Sequence, residues 1–259
     1  MSRVSGITLL VSIFLWSNLS IAQQIMRKIT VTGHRGAAAI APENTMLSIQ
    51  KAVLLKVDRV EIDIHQSKDG KLVVIHDATL DRTTDGKGKV KNYTYGELRK
   101  FNIDSSTERL STLQDAMDWC NNKTILLIDV KRGHGHYKGF EENLVNVIKE
   151  NEFHKKCIVQ SWNTKLLKTI HELDPDIVIH KLVVLSWLTN FKGMAMASEF
   201  TFDHRRIKKK TIHRVHELEK KVNVYTVNDA SDVTKLVTLG VDGIITDDPR
   251  LILDRQKPR

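Results

Sequence analysis

The stretch VTGHRGAAAIAPENT, residues 31–45, sets His34 and Arg35 side by side and follows them, eight residues on, with Glu43. Further along stand Glu61 and Asp63, then His76 and Asp77, then Asp129 and Lys131, each group closing a short β-branched run. Two imidazoles suit proton transfer, because an unperturbed imidazole titrates at about pH 6.5. Alternation along a strand turns Glu61 and Asp63 to one side, and likewise Asp129 and Lys131. Carboxylates brought that close repel each other and hold their protons more tightly unless a cation sits among them. An all-oxygen set suits a hard divalent ion, Ca²⁺ or Mg²⁺, better than zinc. A salt-bridge network of the same carboxylates with Arg35 and Lys131 satisfies the spacing equally well, and the residues alone do not choose between the two.

Positioning these groups requires regular elements, and the chain alternates β-branched runs with amphipathic stretches throughout. Strands are expected at 29–31, 59–64, 124–130, 156–160, 177–184, 198–202, 222–226 and 243–246. Helices are expected at 45–55, 113–119, 140–150, 164–173, 208–219 and 232–239. Eight parallel strands with crossover helices fit a closed (β/α)₈ TIM barrel. A further run at 71–75 follows the turn-like SKDG and reads as the return arm of a small hairpin inserted after the second strand. In such a barrel the active site lies at the carboxyl ends of the strands, which is where every ionisable group above falls.

Residues 1–22 carry one charge, Arg3, then an apolar run and a small-residue ending, the pattern of a secretory signal peptide. The apolar run is too short to span a bilayer, so the expected mature domain is 23–259, exported to a periplasmic or extracellular space without stable membrane insertion. The formal charge of +9 falls to +8 when Arg3 is removed and favours anionic partners without selecting one. The densest basic stretch, residues 205–221, spaces its apolar residues as a helix does and interleaves no aromatics, so it reads as a solvated helix face and not a nucleic-acid site. Cys120 and Cys157 are too few for a disulfide framework. Their pairing stays open, buried free thiols being the simpler reading.

The segments HRGAAAIAPENT, VEIDIHQSKDGKLVVIHDATLDRTTDGKGKV, LLIDVK, VQSWN and VNVYTVND…GVDGIITDDP occur in order from about residue 30 to 249. Together they resemble the signature blocks of the glycerophosphodiester phosphodiesterase family. That resemblance implies a TIM barrel that hydrolyses small glycerophosphodiesters to sn-glycerol 3-phosphate and an alcohol with a divalent cation. It implies His34 and His76 as the acid–base pair and Glu61, Asp63 and Asp129 as metal ligands. Asp129 departs from the family's usual glutamate and is one methylene shorter; Tyr225 stands where the family commonly has tryptophan. Arg35 and Lys131 are the expected grips on the phosphate oxygens, and Glu43 the group that fixes a neighbouring histidine or arginine, unless it serves only the start of the following helix. Trp162 and Tyr225 are expected to line the glycerol side, with core packing as the rival.

The Gly-rich loop at 131–139 is the candidate for headgroup choice; its His134 and His136 lack a third metal ligand, so a solvated loop or an anionic-headgroup contact is expected. A phospholipase D-like or phosphoinositide-cleaving reading would require an apolar lip at the rim, and no aromatic cluster is evident in those loops. A binding protein without catalysis could dispense with His34 or His76, and this chain keeps both. The sequence fixes neither the headgroup, nor the ion, nor the oligomeric state, nor whether the reaction passes through a cyclic phosphate.

Overall fold

The computed structural model describes residues 28–131, 137–186 and 189–256. Nine strands form one sheet: β1 (Thr30–Gly33), β2 (Arg59–Gln66), β3 (Leu72–Val74), β4 (Ile125–Val130), β5 (Cys157–Ser161), β6 (Val178–Val183), β7 (Ala197–Asp203), β8 (Lys221–Tyr225) and β9 (Gly243–Thr246). Eight are parallel, and the pairing of β1 with both β2 and β9 closes them into a barrel. The exception is β3, antiparallel to β2 with Ile64 opposite Val74, the hairpin arm expected after SKDG. All eight barrel strands lie where the β-branched runs put them.

Helices α1 (Met46–Leu54), α2 (Tyr95–Leu98), α3 (Leu113–Cys120), α4 (Phe140–Glu150), α5 (Thr164–Leu173), α6 (Lys209–His216), α7 (Ala230–Leu239) and α8 (Arg250–Gln256) lie outside the barrel or in its insertion. Their starts follow from side chains that satisfy orphan amides: Thr45 accepts from Ser48, Asn163 from Lys165 and Leu166, and Thr94 and Thr112 each form a capping box with an acid three residues on. The single turn α2 and the terminal α8 had no clear apolar period in the sequence. Between β3 and α3 the insertion is larger than a hairpin: Val73, Ile75, Leu80, Val90, Leu98, Ile103 and Leu110 form a separate small core there. Cys120 and Cys157 are buried free thiols, both pushed up to about 12 by burial. No helix of the described residues is long and apolar enough to cross a membrane.

The main apolar core fills the space between barrel and helices, whereas the barrel interior is layered. Midway, Leu127, Ile158 and Ile245 pack together with Tyr225 against them. Below, Arg59 of β2 forks onto Glu199 of β7 with two 2.8 Å hydrogen bonds, and Asn223 donates to Glu199 at 2.6 Å. Strands β2 and β7 are not neighbours, so this pair bridges the barrel. Burial would raise the Glu199 carboxyl, but the guanidinium of Arg59 and the other donors overcome it and hold the group at about 2. Buried His180 is driven to about 3 chiefly by burial and stays neutral beside the pair. Removing the guanidinium leaves a buried carboxylate without its strongest donor, so Arg59→Met should cost about 3–5 kcal/mol of unfolding free energy in a urea titration.

Candidate functional site

The loop after β1 is built around three left-handed backbone conformations, Arg35 (φ 51°), Gly36 (φ 89°) and Asn44 (φ 56°). Gly36 is needed: a Cβ there would lie 2.2 Å from Ser48 Oγ and 2.5 Å from the Ser48 carbonyl carbon. The backbone of α1 therefore approaches closely, and Ser48 donates to the Arg35 carbonyl at 2.6 Å. Asn44 tolerates its left-handed conformation and turns inward. Its amide donates to Asp63 Oδ2 at 2.9 Å while its side-chain oxygen accepts from the Asp63 backbone at 3.1 Å, so the PENT segment clamps β2 at one carboxylate.

Strand alternation brings Glu61, Asp63 and Asp129 together as expected. One ligand atom from each lies within 4.8 Å of the others, and all three side chains are buried. Glu61 Oε2 accepts from the Arg35 backbone at 2.7 Å. Lys131 Nζ bridges Asp129 Oδ2 at 2.6 Å and Asp63 Oδ1 at 2.9 Å. Burial pushes all three carboxyls up. For Asp63 the opposing pull of Lys131, His76, Arg35 and His34 wins and holds it well below the usual range. Glu61, with Asp63 beside it and weaker compensation, is raised to about 8. Asp129 is also raised, burial outweighing Lys131. Burial disfavours the Lys131 ammonium, yet Asp63, Asp129 and Glu61 keep it more firmly protonated than a free lysine.

These residues fit a hard divalent cation. Asp129 Oδ1 is buried with no hydrogen-bond partner, and burial and the neighbouring Asp63 raise the Glu61 carboxyl, a strain that a cation among the three would relieve. The salt-bridge network weighed from the sequence is present as well, so Lys131 and Arg35 meet the carboxylates and the two readings share one set of atoms.

Both histidines lie at this rim, each with Nδ1 tied to a carboxylate: His34 to Asp247 Oδ1 and His76 to Asp77 Oδ1, both at 2.6 Å. Burial lowers the His34 pKa, but the hydrogen bond to Asp247 and the nearby Glu61 and Asp63 charges raise it above the ordinary imidazole value overall. Asp77 also accepts from Arg82 Nε at 2.7 Å, and Arg82 reaches both oxygens of Glu43 at 2.9 and 2.7 Å. Glu43 in turn accepts from Arg35 Nη1 at 2.8 Å. Both Glu43 oxygens are thus held by arginines, and Glu43 fixes an arginine as expected without being a helix-start carboxylate alone. Beneath, buried His65 meets Tyr137 Oη at 2.7 Å through Nδ1 and the His76 carbonyl at 3.0 Å through Nε2.

Asp247, Arg82, Asn44 and His65 went unassigned from sequence. Asp247 was findable, since it follows β9 at the same rim; Arg82 and His65 carried no spacing signal. Trp162 follows β5 and is 53% exposed, with its indole N–H on the Lys131 carbonyl, so core packing does not describe it. Tyr225 ends β8, half-buried against the barrel's apolar layer. His134 and His136, with the rest of 132–136 and the leader 1–22, lie outside the described residues.

The glycerophosphoryl diester phosphodiesterase family matches residues 34–251. A glycerophosphodiester phosphodiesterase of Caldanaerobacter subterraneus subsp. tengcongensis is 34% identical over 88% of this chain and 97% of its own length. A phosphodiesterase of Oleispira antarctica, solved with the product sn-glycerol-3-phosphate, superposes with a TM-score of 0.77 at 25% identity over 87% of this chain and 96% of that one. A Silicibacter pomeroyi structure called a putative glycerophosphoryl diester phosphodiesterase superposes at 0.80 with 20% identity, over 92% and 98% of the two chains, and shares the fold. With a closed barrel and a rim of carboxylates and histidines already in place, the match over most of the chain shows that this protein belongs to the glycerophosphoryl diester phosphodiesterase family.

Proposed function

We propose that the protein hydrolyses small glycerophosphodiesters to sn-glycerol 3-phosphate and an alcohol, with His34 and His76 as its proton-transfer pair. The observation that carries this reading is the placement of two carboxylate-held imidazoles beside one buried three-carboxylate cluster. Glu61, Asp63 and Asp129 would hold Ca²⁺ or Mg²⁺, which supplies charge neutralisation at the phosphate and acidification of an attacking hydroxyl. Each histidine gives its Nδ1 to a carboxylate and so keeps Nε2 for the substrate. His34, with its pKa raised, retains a proton to give to the departing alkoxide. His76 takes the proton of the attacking group. That group is the neighbouring glycerol hydroxyl by family likeness, and the two histidines exchange roles when water opens the cyclic phosphate. Arg35 and Lys131 face the phosphate oxygens, and Trp162 and Tyr225 border the glycerol. Residues 1–22 act as a cleaved export signal, so the mature protein works in a periplasmic or extracellular space.

Release of sn-glycerol 3-phosphate from glycerophosphocholine and glycerophosphoethanolamine is the direct assay. His34→Ala and His76→Ala should each lower kcat by about 10²–10⁴-fold, and normal turnover in either would sink the assignment. Asp247→Asn weakens the hydrogen bond that does most to raise the His34 pKa. Since His34 must be protonated to act as the acid, the alkaline limb of kcat against pH should move to lower pH, and an unmoved limb would exclude His34 from that role. Without any assay of turnover, Ca²⁺ or Mg²⁺ at about 100 times its Kd should stabilise the fold by about 2.7 kcal/mol in thermal unfolding. Asp63→Asn should abolish that increment.

A further inference from the structure

Exposed large apolar side chains gather at one sector of the rim. Of the seven among the described residues, three lie together after β5 and β6: Trp162, Val184 and Leu185, at 53%, 59% and 41% exposure. They line one cleft of about 450 Å³. No single stretch of the chain shows this lip, because Trp162 follows β5 whereas Val184 and Leu185 follow β6. A second cleft of about 470 Å³ joins Val184 and Leu185 to Arg206, Lys208 and Lys210, beyond β7. Apolar side chains and cations therefore form one continuous surface.

The cations are not explained by the fold. Lys208, Lys209 and Lys210 are exposed and have no carboxylate partner among the described residues. They crowd the start of α6, whose first turn holds no acid, so they oppose the positive end of the helix dipole instead of complementing it. Arg205 and Arg206 share Asp203, at 2.9 and 3.8 Å.

We propose that this sector, Trp162, Val184 and Leu185 with Arg206, Lys208 and Lys210, is a docking surface for an anionic phospholipid bilayer. Val184 and Leu185, flanked by Lys208 and Lys210 that have no carboxylate partner among the described residues, match the two layers of such a surface: the former enter the acyl boundary while the latter meet headgroup phosphates. A nucleic acid would use the cations but leave Val184 and Leu185 in water, and Trp162 is the one exposed aromatic among the described residues of this sector. The surface opens on the same rim as the carboxylates and histidines, so docking would turn the site towards the lipid. The inference concerns binding alone and does not depend on the proposed hydrolysis.

The test is co-sedimentation of the protein with phosphatidylcholine vesicles, with and without phosphatidylglycerol, at low and high salt. Binding should require phosphatidylglycerol and weaken with salt. It should fall at least about tenfold in Lys208→Glu/Lys210→Glu and also in Val184→Ser/Leu185→Ser, with thermal unfolding and small-diester turnover unchanged in both. No sedimentation with either vesicle, sedimentation equal in all three proteins, or retention by an oligonucleotide in place of vesicles would each overturn the proposal. A protein inactive on small diesters that still sediments in this pattern leaves the docking surface standing and removes only the functional reading above.

Discussion

Burial of Glu61, Asp63 and Asp129 within 4.8 Å of one another is the constraint on which the rest of the site depends. Three carboxylates at that spacing in a poorly solvated rim cannot all stay ionised without positive charge, and each neighbouring element supplies some of it. Strand β4 contributes Lys131, two residues beyond Asp129 and long enough to bridge to Asp63. The loop after β1 contributes Arg35, whose left-handed backbone aims its amide at Glu61 and its guanidinium at Asp63, 3.4 Å away. These cations leave one buried Asp129 oxygen without a hydrogen-bond partner and, with burial and Asp63 acting on it, the Glu61 carboxyl raised, so the cluster has room for a further positive charge.

A second consequence is that the two histidine loops are joined. Asp77, Arg82, Glu43 and Arg35 alternate in sign in an unbroken run from His76 to Asp63. Alternation lets each ionised group be satisfied on both sides, so a chain of bidentate and single contacts can persist where an isolated partly buried charge could not. It also makes the HD loop and the PENT loop one mechanical unit: Arg82 cannot leave Glu43 without loosening Asp77, which orients His76. His34 stands outside this run, held by Asp247, which follows the neighbouring strand β9. The two imidazoles thus take their orientation from different supports and sit in different fields.

The local half of this design was legible in the chain. Glu61 with Asp63, and Asp129 with Lys131, obey the two-residue period of a strand, and that period alone put them on one side of a barrel wall. The hairpin arm and all barrel strands followed from apolar patterning and turn residues. What escaped was contact between segments remote in sequence: Asp247 lies 213 residues from His34, and Arg82 lies 39 from Glu43. No periodicity encodes such pairs; closure of the barrel creates them. The small core under the insertion was missed for a related reason, since its apolar residues are scattered singly between turns and become a cluster only when the chain folds back on β3. The apolar sector at the rim likewise exists only as a juxtaposition of two strand ends.

The interior below the site bears on why this arrangement can hold its shape. A barrel filled only with aliphatic side chains would resist compression but would not fix which strand faces which across the axis. Here the fork of Arg59 on Glu199, with Asn223 completing the carboxylate's shell, ties β2 to β7 and β8 by directional bonds. Strand β2 carries Glu61 and Asp63 just above Arg59, so any rotation of β2 that would spread the carboxylates must also break that fork. Leu127, Ile158 and Ile245 pack together with Tyr225 against them, Leu127 in register with Glu61, and Glu61, Asp63, Asp129 and Glu199 are all buried. Dry surroundings make the lower pair strong and the upper cluster demanding: the low dielectric that ties down β2 is the one that leaves Asp129 and Glu61 short of positive charge.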